Sequence, residues 1–398
     1  MKVLVVAPRV PWPPLDGGRV AINAIALGLR DAGAEVEMIA LDPRKHRSDA
    51  RAIPDRRGEL PLAAVPHDTS VSSMRAAAGL AGRRSVVASR FRSAALETLV
   101  RERVARGDVD VVQIEGPMLS GCIPAVRAGD GGTLVAMRSQ NVEHAIWERL
   151  ARGARWPWAR LAMRRVAAQL RAHEHAANEA SDALVAISRA DLDEFRRLGC
   201  GKAGIVIPIG IDTETFRFGP REARGVFLLG SLDYRPNAEA LLWFAAEVMP
   251  LLVRRAPSIT VVAAGSNAPE GLAARVEAAG IRFLGQVPDA RDFMMTGGVM
   301  AVPLLSGSGV RAKIAEAMAL GVPVVSTTRG ADGLGVANDR ELAIADGADD
   351  FADALVRVEG DLSLRARLAS AARALVEREL DRETLGGVLL DFYGELRG

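Results

Sequence analysis

SGSGVRAKIAEAMALG, residues 306–321, lies between two short apolar runs, VMAVPLL (299–305) and VPVVST (322–327). The order predicts strand, glycine loop, helix and strand, the βαβ unit of a parallel sheet. Gly307, Gly309 and Ala312 fit the G-x-G-x-x-A pattern of a dinucleotide loop. That loop belongs at the start of such a fold, with an acid about 20 residues on for the ribose. Here it follows the fourth strand of its half, and the next strand ends Ser326-Thr327-Thr328-Arg329 with no acid. Nicotinamide chemistry is therefore disfavoured. What remains is a helix whose first N–H groups, at Gly309, Val310 and Arg311, face the loop and with the helix dipole form an anion site. Ser308 adds a hydroxyl, and Arg311 and Lys313 add charge. Glu316 stands one turn further along, placed to accept two hydrogen bonds from a ribose diol. The combination describes a nucleoside diphosphate. A plain Lys313–Glu316 surface pair is the competing reading, worth about 0.3 kcal/mol. The rarity of lysine, four among 51 basic residues, weighs against it.

Outward from this loop the pattern repeats. Strands are predicted at 225–231, 259–266, 281–287, 299–305 and 322–327, with helices between them and a helical tail over 361–397. The first half shows strands at 2–8, 34–41, 109–116, 132–139, 182–188 and 203–210. Helices are predicted at 17–33 and 189–199, and one long helical stretch at 143–180. Residues 42–108 are Arg-rich and read as two helices. Short β-branched strands alternating with helices mean parallel, doubly wound α/β sheets, and here there are two.

A chain of 398 residues is too long for one ordinary core. Its two cysteines, Cys122 and Cys200, give neither a disulfide framework nor metal spacing, so a reducing compartment is expected. MKVLVVAP is too short for a signal h-region or a span, and no later stretch reaches spanning length, so a cytoplasmic location is expected. Charge is uneven: residues 1–208 hold 31 Lys and Arg against 23 Asp and Glu, the remainder 20 against 26. The first half either prefers anionic partners or reflects compositional drift.

Several segments resemble retaining glycosyltransferases of the GT-B fold, family four. Glu316 in EAMALGVPVV matches the second glutamate of that family's Glu-x7-Glu signature, and Ser308 stands where the first would be. The loop is similar to a subgroup written G-S-G-x-R-x-K-x-x-E-A-M, frequent in bacterial polysaccharide-assembly transferases. LLGSLDYRPNAEALLWF (228–244), RSQNVEHAIWERL (138–150), IPIGIDTETF, FLGQVPD (283–289) and STTRGADGL (326–334) agree with it.

The resemblance implies two Rossmann-like domains facing across a cleft. An acceptor-binding domain would span 1–208, with a last helix at 381–396 crossing back to it, and a donor-binding domain 209–380. It implies sugar transfer from a nucleoside-diphosphate sugar to a hydroxyl of a glycan, lipid-linked or small-molecule acceptor, with retention. No divalent metal, other cofactor or nucleic acid is expected. A sugar-nucleotide 2-epimerase and a noncatalytic nucleotide-sugar binding protein share the layout and remain alternatives. Arg311, Lys313, Glu316 and His144 are the catalytic candidates. Donor contacts fall on Ser231 and Arg235, on Gly285 and Val287 whose backbone meets the base, and on Gly307, Ser308, Gly309 and Val310. Gly17 and Gly18 either approach the donor phosphate or simply make a tight βα turn. Acceptor-side candidates are Glu115, Asn141 and Glu143; His144 either binds a hydroxyl or caps and packs. HEH (173–175) is not a metal pair, because i and i+2 do not share a helix face. Residues 149–171 carry seven arginines and two tryptophans. They suit peripheral contact with an anionic inner membrane face, or form a solvated helical face.

Overall fold

The computed structural model describes residues 1–14, 16–44, 50–70, 79–82, 84–129, 131–219, 222–307 and 311–398. They form two compact units: 1–210 with 382–398, and 211–381.

The first unit is built on an eight-stranded sheet. Its strands are β1 (Lys2–Ala7), β2 (Glu35–Pro43), β3 (Ala52–Asp55), β4 (Gly58–His67), β5 (Val111–Glu115), β6 (Leu134–Ser139), β7 (Ala183–Ala186) and β8 (Ala203–Val206). The order is β3-β4-β2-β1-β5-β6-β7-β8, parallel throughout except for the β3–β4 hairpin. Alternate side chains of β1 enter two different cores. Val3 and Val5 pack with Ile22 and Ile25, while Leu4 and Val6 pack with Val100 and Val112. Both faces are thus covered, as parallel sheets require.

Two parts of this half differ from the sequence reading. Residues 42–108 contain the strands β3 and β4 as well as helix. β4, GELPLAAVPH, carries two prolines and mostly exposed positions, a pattern that reads poorly as strand. The 143–180 stretch is two helices, α2 (Glu143–Gly153) and α3 (Pro157–Ala180). Pro157 sits at the first turn of α3, where a missing N–H costs nothing.

Helix α1 (Gly17–Asp31) packs against the last helix of the chain, Arg382–Arg397. A Cβ on Gly386 would lie 2.0 Å from the carbonyl oxygen of Gly28, so the two backbones touch. Arg382 reinforces the contact, donating to Asp31 at 2.6 Å and Asp55 at 2.9 Å. Tyr393 donates to Gln113 on β5 at 2.8 Å.

The second unit holds six parallel strands: β9 (Val226–Leu229), β10 (Val261–Ala264), β11 (Arg282–Phe283), β12 (Val299–Val302), β13 (Val324–Ser326) and β14 (Ala343–Ile344). Their order is β11-β10-β9-β12-β13-β14. The two-residue β14 was not legible in sequence. Among the parallel strands of each sheet the order reverses once: at β1/β5 in the first unit and at β9/β12 in the second. Ligands of open α/β sheets bind beyond the carboxyl ends of strands at such switch points.

Candidate functional site

The second unit's switch point gathers the donor-side candidates. β9 runs into Gly230, Ser231 and a helix, Arg235–Trp243. β12 runs toward the glycine loop and the helix Ala312–Ala319. Arg311 is the cap position of that second helix, and no side chain caps it. Ser308, Gly309 and Val310 lie outside the described residues, and with them most of the N–H groups of the expected anion site.

Lys313 is turned back toward β9. Its ammonium donates to the Leu229 carbonyl at 2.9 Å and to Asn237 Oδ1 at 3.1 Å. Burial, with the charge of Arg311 adding to it, lowers Lys313 to about 8. The Glu316 carboxylate takes no hydrogen bond or ion pair from the described residues. Burial, with repulsion from Asp289, raises its carboxyl to about 7. Lys313 therefore does not pair with Glu316, and the surface-pair reading is set aside. Both groups are held in a charged-unfavourable environment, which an incoming anion would relieve at Lys313 and donating hydroxyls at Glu316.

Gly307 is left-handed, with φ 103°, and a Cβ there would stand 2.7 Å from Arg311 Nη2 and 2.9 Å from the Tyr234 hydroxyl. The backbone angle calls for glycine, while the two close atoms are side-chain tips that could shift. Ser231 donates to Asp233 at 2.5 Å and lies 3.1 Å from the Ser266 hydroxyl. Arg235 is exposed and bonded to Glu239 at 2.6 Å, so it faces solvent beside the site. Gly285 accepts from the amide of Gly265 at 2.8 Å and, with half-buried Val287, follows β11. Sequence reasoning missed Asn237, whose side chain holds both Lys313 and the Ser231 carbonyl, the latter at 2.8 Å. Nothing local marks it, because its partner is 76 positions away.

The first unit places its candidates in two clusters. At the β1/β5 switch point, Asp16 caps α1, accepting from the amides of Gly18 and Arg19 at 3.1 Å each. Arg9 donates to the same carboxylate at 2.6 Å. The Gly18 amide is therefore occupied, and a Cβ there would meet Arg9 Nη2 at 2.6 Å; Gly17 opens onto free space. Of the two readings of this pair, the tight turn accounts for Gly18. Glu115 is sealed from solvent. It accepts from Arg138 at 2.8 Å and Gln113 at 2.6 Å, with Gln140 at 3.3 Å. The acceptor-side role expected of Glu115 is corrected on this ground: its carboxylate holds Arg138 in place.

The second cluster centres on Glu174, the middle residue of the HEH run. Its carboxylate accepts from the amides of Glu143 at 2.8 Å and His144 at 3.0 Å, capping α2 from another helix. It also bonds His144 Nδ1 at 2.7 Å. His144 is buried, and although burial lowers its pKa the hydrogen bond and charge of Glu174 raise it overall. The imidazole is thus packed and held by Glu174, and the capping of α2 falls to the Glu174 carboxylate. Glu143 and Asn141 are half-buried beside it. Burial and the charge of Glu174 raise Glu143 to about 7. Among the described residues no cluster of three metal-ligating side chains occurs.

Two parallel-sheet α/β units with these switch points are the architecture of the GT-B glycosyltransferases. Residues 223–361, which include Lys313 and Glu316, match the family described as glycosyl transferases group 1. The match lies within the second unit, which is thus similar to a group 1 glycosyltransferase domain. It is 31% identical over 247 residues to a D-inositol 3-phosphate glycosyltransferase of Xylanimonas cellulosilytica, covering 54% of this chain and 57% of that one. It is 25% identical over 216 residues to an uncharacterized 44.6 kDa protein in the cps region of Klebsiella pneumoniae, covering 51% and 54%. The chain therefore spans just over half the length of these curated relatives. In fold it is similar to Alr3699/HepE of Anabaena, solved in complex with UDP. That match has a TM-score of 0.67 at 17% identity and covers 99% of this chain and 100% of that one.

Proposed function

We propose that the protein transfers a sugar from a nucleoside-diphosphate sugar to an acceptor hydroxyl, with retention and without a divalent metal, in polysaccharide assembly. The bond from the anomeric carbon to the diphosphate oxygen breaks, and a bond to the acceptor oxygen forms as the acceptor loses its proton. The observation that carries this reading is the placement of Lys313 and Glu316 at the switch point inside the matched domain. Lys313 and Arg311 stabilise the charge gathering on the leaving diphosphate, in a site already shaped for it. Glu316 accepts from the ribose hydroxyls. UDP is the first nucleotide to test, because a relative in fold was solved with it.

Glu316→Ala should lose a hydrogen bond to a charged acceptor, costing about 1.5–3 kcal/mol in donor binding or turnover. Diphosphate release from UDP-, GDP-, ADP- and dTDP-sugars checks this in wild type and variant. A folded variant with unchanged affinity and turnover would reject the ribose role.

The two shifted groups also set a pH profile. The diphosphate prefers protonated Lys313, so affinity should fall as pH rises through about 8. The ribose prefers ionised Glu316, so affinity should fall as pH drops below about 7. The optimum lies between, with each limb changing at most about tenfold per pH unit. Calorimetric affinity against pH checks it, and Glu316→Gln separates the carboxyl from the titration of the phosphate itself. An identical acid limb in that variant would exclude Glu316 as its source.

A further inference from the structure

The segment from the end of α2 into the start of α3 holds four large exposed apolar side chains. Trp156 is 57% exposed, Trp158 71%, Leu161 71% and Leu150 48%. They are not scattered. Leu150 lies in the last turns of α2, Trp156 in the connection, and Trp158 and Leu161 share one face of α3 at i and i+3. Isolated exposed apolar residues need no explanation, but a contiguous set rimmed by charge marks an interaction surface.

The charge of this segment has one sign. No acid occurs between Glu148 and Glu174, while Arg149, Arg152, Arg155, Arg160, Arg164 and Arg165 fall in that interval. The Arg155 guanidinium lies over the Trp156 ring, 5.8 Å from its centroid. Arg160 reaches back to the Ala154 carbonyl at 3.3 Å, and Arg165 is fixed to the carbonyls of Leu80 at 3.1 Å and Gly82 at 2.7 Å. Arg152, Arg155, Arg160 and Arg164 are exposed. Indole rings favour the boundary between water and hydrocarbon, and arginine stems lie along apolar surface with the heads at phosphate level.

We propose that this segment docks the first unit on an anionic phospholipid surface, Trp156, Trp158 and Leu161 entering the headgroup boundary and the exposed arginines meeting lipid phosphates. The charge of the segment complements such a surface, and its exposed apolar side chains distinguish it from a purely electrostatic site. The inference is independent of the donor chemistry.

The test is co-sedimentation of the whole protein with vesicles of equal parts phosphatidylglycerol and phosphatidylcholine, and with vesicles of phosphatidylcholine alone, at low and high salt. Binding to the anionic vesicles, weakened by salt and accompanied by a blue shift of tryptophan emission, is expected. Trp158→Ser with Leu161→Ser should weaken it at least about tenfold. Arg155→Gln, Arg160→Gln and Arg164→Gln together should weaken it by roughly fivefold for each charge removed. Unchanged thermal unfolding and unchanged diphosphate binding establish that these variants are folded. Failure of the wild type to bind, equal binding to neutral vesicles, or binding that survives both sets of substitutions would overturn the proposal. So would duplex DNA binding that is lost in the Trp158 and Leu161 variant, which would assign the surface to nucleic acid.

Discussion

Lys313→Met is expected to weaken nucleoside-diphosphate binding by ten- to over a hundredfold while leaving the protein folded. The wild-type ammonium sits between the Leu229 carbonyl and Asn237, at 2.9 and 3.1 Å, partly desolvated and close to Arg311. That environment works against its charge, which is why its pKa falls to about 8. An apolar side chain of the same length spares the cost of burying a charge without an opposite partner, at the expense of the two hydrogen bonds to Leu229 and Asn237. Methionine fills the space and removes the charge. The loss is that of a hydrogen bond between charged groups, about 1.5–3 kcal/mol, and each 1.4 kcal/mol is tenfold. Calorimetry measures the affinity and thermal unfolding the fold. A folded variant that keeps wild-type affinity would remove Lys313 from the site.

Gly386→Ala is expected to destabilise the first unit by about 2 kcal/mol or more, whereas Gly387→Ala should be neutral or stabilising by up to about 1 kcal/mol. Both glycines lie in the final helix, where alanine is intrinsically the better residue. The difference is tertiary. A Cβ on Gly386 would meet the backbone of Gly28 and Leu29 at 2.0 to 2.9 Å, and backbone cannot swing aside as a side-chain tip can. Nothing lies within 4 Å of a Cβ on Gly387. Urea unfolding of the two variants side by side isolates this contact from helix propensity. Equal stability would mean that α1 and the last helix do not pack closely.

The parallel architecture was legible because β1, β2, β5, β6 and β7 are short, mainly apolar runs that alternate with helical periodicity. The hairpin β3–β4 was not, since its prolines and exposed positions carry no buried-strand pattern. The break at Ala154–Trp156 is marked by Gly153 and Pro157, signals outweighed in the reading by the helical composition on both sides. At the candidate site the residues with chemistry of their own, Lys313 and Glu316, could be picked out by type and spacing. The residues that position others could not. Glu174 caps α2 from about 30 residues away, Asn237 holds Lys313 across 76, and Tyr393 reaches Gln113 across 280. Such pairings exist only once the chain is folded. Glu115 and His144 lie at a strand end and just beyond one, where a cleft residue could stand, and the fold buries both; for His144 packing was one of the two readings.

Calorimetric titration of the purified protein with UDP, GDP, ADP and dTDP, in the absence of divalent metal, bears on whether this site holds a nucleoside diphosphate at all. Tight binding of one of the four at a single site, lost in Lys313→Met, is the expected result. No binding of any of them to folded protein, with or without magnesium, would contradict it.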